Sequence, residues 1–153
     1  MEWVFAYLFI ADQNHLKEIS SIENKSFDSP WTITQIKKDL DTKLQSENWV
    51  YLINKRVVGY VLGNVLLDEY HLNNIAVHPE YLCKKIGTKL VTFLIKHLKK
   101  QNINVILLEV STNNIPANKF YKSLGFIKVG MRKKYYANGE NALLLNLNIN
   151  NYG

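Results

Sequence analysis

The sequence predicts an α/β fold of the α+β kind, one mixed sheet with helices packed on it. Three observations point there. Two apolar runs, Trp49 to Ile53 and Val57 to Leu67, flank a turn at Asn54-Lys55-Arg56 and read as a hairpin. From Ile86 the apolar spacing becomes helical, with Ile86, Leu90, Leu94 and Leu98 on one line and Val91 and Ile95 beside it. Val105 to Val110 is then a continuous apolar run, as expected of a strand buried on both faces.

In chain order, Trp3 to Ile10 reads as a first strand. Asp12 can cap a helix that turns Leu16, Ile19 and Ile22 inward. The stretch Phe27-Asp28-Ser29-Pro30-Trp31 breaks that helix. Thr32 and Gln35 make a capping box for a second, with Ile33, Ile36, Leu40 and Leu44 inward. After the hairpin, Asp68-Glu69 turns the chain into a strand from His71 to Val77, ended by Pro79. A short helix follows Val110, with Ala117, Phe120, Tyr121 and Leu124 inward and Gly125 as its stop. Two last strands, Phe126 to Tyr135 and Ala142 to Ile149, are joined around the turn dipeptide Asn138-Gly139. The order is β-α-α-β-β-β-α-β-α-β-β.

A chain of 153 residues is the size of one ordinary domain, so a single domain over 1–153 is expected. At 47% hydrophobic and 21% charged residues it can build a core, which excludes a disordered or collagen-like chain. The apolar start after Glu2 lacks the basic flank and cleavage site of a signal peptide, and no run reaches the ~20 residues of a membrane span. A soluble, cytoplasmic protein is expected. The net charge of +6 is unevenly spread: from Lys84 to Lys134 eleven lysines and Arg132 face one acid, Glu109. A partner of high negative charge, a polyphosphorylated cofactor or a nucleic acid, would meet that half.

Candidate chemistry gathers there. The strand through Ile75, Ala76 and Val77 leads to a helix opening near Lys85-Ile86-Gly87, where unpaired N–H groups and Lys84, Lys85 and Lys89 can meet phosphate. Neither of the glycine-rich nucleotide-binding fingerprints is present. Glu109 inside its apolar strand would lose solvation unless paired or opened to a cavity, and desolvation would make it a better base near neutral pH. Tyr121 is a proton donor or a core residue, and Asn114 a ligand contact or a helix cap before Pro116. Histidines 15, 71, 78 and 97 share no ligand spacing, so no metal site is expected. The single cysteine, Cys83, excludes an intrachain disulfide.

The path from Asn73-Asn74-Ile75-Ala76-Val77-His78-Pro79-Glu80-Tyr81 to Gly87 resembles the acetyl-CoA motif of the GNAT N-acetyltransferases. Leu107-Leu108-Glu109-Val110, Asn113-Asn114 and Phe120-Tyr121-Lys122-Ser123-Leu124-Gly125-Phe126 resemble its second half. Phe27 to Trp31 and Arg132-Lys133-Lys134-Tyr135-Tyr136 are similar to the RimI-like branch, which acetylates the N-terminal alanine of a small-subunit ribosomal protein. The resemblance implies the GNAT fold: a mixed, mostly antiparallel sheet with helices on both faces and strands splayed at the acetyl-CoA site. It implies that Ile75, Ala76 and Val77 line the pantetheine arm, that Cys83, Lys84, Lys85, Ile86, Gly87 and Thr88 wrap the pyrophosphate, and that Asn114 touches the cofactor. Glu109 would be the general base and Tyr121 the general acid, with Phe27, Trp31, Tyr135 and Tyr136 around a protein or peptide N-terminus. No membrane and no direct nucleic acid are implied.

The chain departs from the family pattern in two places. The loop motif Gln/Arg-x-x-Gly-x-Gly/Ala falls on Leu82, Cys83, Lys84, Lys85, Ile86 and Gly87, where only the last glycine remains. Lys85 replaces a residue whose missing side chain lets backbone approach phosphate, and it is sterically acceptable if its φ is helical. Asn141 follows Glu140 where the branch often has Asp, which would soften recognition of a basic acceptor end. The expected activity is direct acetyl transfer to an N-terminal α-amine. The rivals are transfer to a lysine side chain or small amine, and a basic RNA- or ribosome-binding module whose cofactor site has decayed.

Overall fold

The structure, a computed structural model, describes residues 5–41 and 45–152. The elements follow the expected order: β1 (Ala6–Ile10), α1 (Leu16–Ser26), α2 (Ile33–Asp41), β2 (Trp49–Ile53), β3 (Arg56–Leu66), β4 (Glu69–Val77), α3 (Ile86–Lys100), β5 (Val105–Ser111), α4 (Ile115–Ser123), β6 (Ile127–Arg132) and β7 (Ala142–Asn148). The strands hydrogen-bond in the order β1-β2-β3-β4-β5-β7-β6. The β4–β5 ladder is parallel, while β1–β2, β2–β3, β5–β7 and β6–β7 are antiparallel, so the sheet is mixed and mostly antiparallel. Residues 5–65 and 72–96 form one compact unit, and 66–71 and 97–152 form a second.

In the first unit Asp12 caps as expected, but what it caps is a single 3-10 turn, Gln13–His15, and α1 starts at Leu16. Trp3, Val4 and Leu44 lie outside the described residues. The α2 capping box is reciprocal: Gln35 N–H donates to Thr32 Oγ1 at 3.2 Å, and Thr32 N–H donates to Gln35 Oε1 at 2.8 Å. Ile19, Ile22 and Ile36 pack on Val50, Leu52, Val57, Tyr60, Leu62 and Ala76. Ile33, expected inward, is 50% exposed, because it is the first residue of α2 and the core contact begins one turn later at Ile36. Alternate strand residues face the other side. There the Trp49 ring meets Phe93 of α3 at 4.7 Å, and Gly59 lies under Ile86 and Leu90. Helices thus cover both faces of this unit's strands. The hairpin turn is made by Asn54 and Lys55, both left-handed at φ 50° and 68°.

In the second unit β5 is not buried on both faces. Ile106, Leu108 and Val110 are buried, while Val105, Leu107, Glu109 and Ser111 alternate with them on a more open row. Antiparallel pairing carries the same division onto β7, where Leu145 and Leu147 face Leu108 and Ile106. Asn114 Oδ1 caps α4 by accepting from Ala117 N–H at 3.2 Å, and Gly125 at φ 101° ends it. β6 stops at Arg132, three residues short of the expected end. Lys134 at φ 52° bends the chain away, and Gly139 N–H closes a turn on Tyr136 O at 2.9 Å, so Tyr135 and Tyr136 belong to the connection and not to the strand. Lys128 pairs with Leu145 and Gly130 with Leu144, which leaves Val129 as a β-bulge.

The loop before α3 does not meet the condition under which Lys85 is sterically acceptable, a helical φ. Lys85 sits at φ 60° and Cys83 at φ 64°, both in the left-handed region. The chain must reverse between the turn Pro79–Tyr81 and the start of α3 at Ile86, and non-glycine residues make that reversal here. A side chain in this region costs about 1–2 kcal/mol.

Two outcomes follow for stability. Lys85→Gly is expected to exceed Lys85→Ala by roughly 1 kcal/mol in urea unfolding, because glycine has no steric cost at positive φ. Equal midpoints for the two variants would contradict the left-handed assignment. At Gly59, an added Cβ would stand 3.2 Å from Ile86 Cγ2 and Leu90 Cδ1 and 3.3 Å from Ala76 O. Gly59→Val should therefore lower stability by about 2 kcal/mol through overpacking, and an unchanged thermal midpoint would refute that close approach.

Candidate active site

Glu109 stands on the open row of β5. It pairs across β7 with Leu144, which pairs in turn with Gly130 of β6. Two rows along, Ser111 is joined to Ala142 and Arg132, so Arg132 projects on the same side as Glu109. Arg132 Nη2 lies 3.7 Å from Glu109 Oε1. The Glu109 side chain is 34% exposed, so of the alternatives the sequence left open it takes the paired, water-accessible one, with a cation beside it.

Two tyrosines adjoin this pair, and a third, Tyr121, neighbours one of them. A hydrogen bond to Glu109, and then its charge, hold the Tyr135 hydroxyl above its ordinary range. The Arg132 guanidinium lies over the Tyr135 ring, 5.5 Å from its centroid. Tyr136 meets Tyr135 edge-on at 5.1 Å, and burial, followed by the Glu109 charge, raises its hydroxyl too. Tyr121 on α4 is buried against Phe126 at 5.5 Å. Burial first, and Tyr136 second, push its phenol well above the usual tyrosine range, so it stays protonated. The second unit therefore sets Tyr135 and Tyr136 near Glu109, and Tyr121 near Tyr136.

The connection carrying the tyrosines is pinned by polar groups. Ser111 Oγ donates to Glu140, and Ser111, Asn113 and Asn138 together hold that carboxyl below its ordinary range. Asn141 Oδ1 accepts from Lys134 N–H at 2.9 Å, and its carbonyl accepts from Thr112 N–H at 3.0 Å. Asn141 thus fixes the turn that presents Tyr135.

In the first unit, Ala76 is buried and Ile75 and Val77 are half-buried at the end of β4. Cys83, Lys84 and Lys85 are exposed, and Lys84 Nζ lies 5.8 Å from the Tyr81 ring. Lys89 N–H makes an early helical bond of α3, to Lys85 O at 3.0 Å, so Ile86, Gly87 and Thr88 precede it with N–H groups that the helix leaves over. Together with the exposed cations, that opening suits an anion. Phe27 and Trp31 are half-buried and pack against the core of α1 and α2.

Two residues escaped the sequence reading. Arg132 was visible only as part of a motif, because its pairing with Glu109 depends on the register of two strands against a third. Glu23 is 1% exposed and accepts from Trp31 N–H at 3.0 Å, from Asn74 Nδ2 at 2.6 Å and from the Tyr60 hydroxyl. Its signal was an acid four residues after Ile19, on the apolar stripe of α1.

Comparison with known proteins gives the family. The model of the acetyltransferase (GNAT) family matches residues 16–126. The [ribosomal protein bS18]-alanine N-acetyltransferase of Haemophilus ducreyi is 32% identical over 140 residues, covering 89% of this chain and 93% of that protein. The enzyme of the same name from Escherichia coli K12 is 31% identical over 115 residues, covering 75% and 76%. A crystal structure of the ribosomal-protein-S18-alanine N-acetyltransferase from Escherichia coli superposes with a TM-score of 0.88 at 28% identity, over 95% of this chain and 94% of that one. The match of that family model over most of the chain, together with relatives more than 30% identical along nearly its whole length, makes this chain a member of the GNAT family of N-acetyltransferases.

Proposed function

We propose that the chain acetylates the N-terminal α-amine of a protein, with Glu109 as general base and Tyr121 as general acid. Members of this family take the acetyl group from acetyl-CoA. The observation that carries the reading is that a water-accessible carboxylate and a buried, protonated phenol each neighbour Tyr136. The names of the ribosomal-protein alanine acetyltransferase relatives support alanine as the first residue and a ribosomal protein as acceptor.

An N-terminal ammonium has a pKa of about 8 and must lose a proton before it can attack. Glu109 takes that proton, through water, since solvent reaches its side chain. Arg132 and the Tyr135 hydroxyl hold the carboxylate in one orientation. The amine then bonds to the acetyl carbon as the carbon–sulfur bond breaks, and Tyr121 gives its proton to the departing thiolate. Backbone groups of Ile75, Ala76 and Val77 would hold the pantetheine arm, and Cys83 to Thr88 the pyrophosphate, with Lys84, Lys85 and Lys89 supplying charge. Asn114 uses Oδ1 as a cap, so its amide nitrogen is the group offered to the cofactor. Phe27, Trp31, Tyr135 and Tyr136 would receive the acceptor's first residues.

The direct test incubates the protein with acetyl-CoA and a peptide that starts with alanine and carries an internal lysine. Tandem mass spectrometry should find the acetyl group on the α-amine; acetyl on lysine alone would discard the N-terminal assignment. Glu109→Gln and Tyr121→Phe should each lower kcat by ~10²–10⁴-fold with little change in acetyl-CoA affinity. Activity within about threefold of wild type would remove that residue from its role.

A further inference from the structure

We propose that Glu23 is a positioning residue, whose buried carboxylate ties the acceptor-side loop Phe27 to Trp31 to the strands β3 and β4. This rests on the reading of Phe27 and Trp31 as acceptor contacts. The site is built within the first unit from three separate segments. Trp31 N–H, at the end of the loop, donates to Glu23 Oε1 at 3.0 Å. The Tyr60 hydroxyl from β3 and Asn74 Nδ2 from β4 donate to Oε2, the latter at 2.6 Å. No lysine or arginine is among these partners; the groups that meet the carboxylate are neutral donors.

The chemistry of this choice argues for a task other than packing. Position 23 lies on the stripe of Ile19 and Ile22, where an apolar residue would avoid the cost of burying a carboxylate. A carboxylate, however, accepts several hydrogen bonds at once and donates none, which suits a point where three donors converge. The donors are dependable as well. Burial and the adjacent Glu23 push the Tyr60 hydroxyl far above its usual range, so it remains a donor at any pH the protein meets. The loop has one of its main-chain groups fixed at Trp31, and Asn74 directly precedes the strand residues Ile75 to Val77. Glu23 thereby sets the position of an aromatic wall while making no contact of its own with the acceptor.

The test uses the full chain and the alanine-starting peptide, with Glu23→Gln, Glu23→Ala and Tyr60→Phe. Tyr60→Phe is expected to raise the peptide KM on the order of tenfold, as for loss of a hydrogen bond to a charged group, with kcat and the KM for acetyl-CoA within about twofold. Glu23→Gln keeps an acceptor for Trp31 N–H and should fall between wild type and Glu23→Ala. A Trp3→Phe, Trp49→Phe background leaves Trp31 as the sole tryptophan, and acrylamide should quench it more readily in each variant. Unchanged quenching in Tyr60→Phe and Glu23→Gln, or a peptide KM within twofold of wild type in both, overturns the proposal even if Glu23→Ala does not fold. A wild-type protein that fails to acetylate the peptide would overturn the acceptor reading and the KM role with it. The quenching would still decide whether Glu23 holds the loop.

Discussion

The two-residue period of β5 is the constraint on which the site depends. Even-numbered residues Ile106, Leu108 and Val110 are buried, and odd-numbered Glu109 is left open. The pairing of Leu108 with Leu145 holds that phase. A slip of one residue would turn Glu109 into the packed side and bring a leucine to the open one. The same register sets Arg132 two rows from Glu109 and on the same face, since β6 is aligned through β7. The hydrophobic row and the placement of the Glu109–Arg132 pair are thus a single arrangement.

The two glutamates of greatest interest show how environment assigns roles to one side chain. Glu109 faces water, a guanidinium and a phenol. Glu23 is closed in by neutral donors from three segments. The tyrosines divide in the same way. Tyr60 and Tyr121 are deeply buried, and burial dominates the shift of each. Tyr135 is open, and its hydroxyl answers first to the neighbouring carboxylate.

Element order was legible throughout, because each change of hydrophobic period coincides with a turn or cap of readable chemistry. Thr32 with Gln35, Asn54 with Lys55, and Gly125 mark their boundaries by local physics alone. The errors came where local pattern is silent. The run Val105 to Val110 looks uniformly buried because leucine and valine at half-open positions cannot be told from core. The strand end at Arg132 was overrun because Tyr135 and Tyr136 have high strand propensity, while the bend at Lys134 is fixed by an amide side chain seven residues on. Glu109 and Tyr121 were visible as motif residues, while the sequence left the solvation of Glu109 open, since it depends on which residues of other strands lie beside it. The left-handed Lys85 was equally hidden: no sequence rule places a lysine there.

The bulge at Val129 bears on how the protein behaves among copies of itself. β6 ends the hydrogen-bonded order, and Ile127, Val129 and Met131 are all exposed. A straight strand of that character offers a free row of amides and carbonyls on which another chain could extend the sheet. The extra residue breaks the spacing of that row, and the charged side chains of Lys128 and Arg132 alternate along it. An apolar border is thereby kept from acting as a template for aggregation.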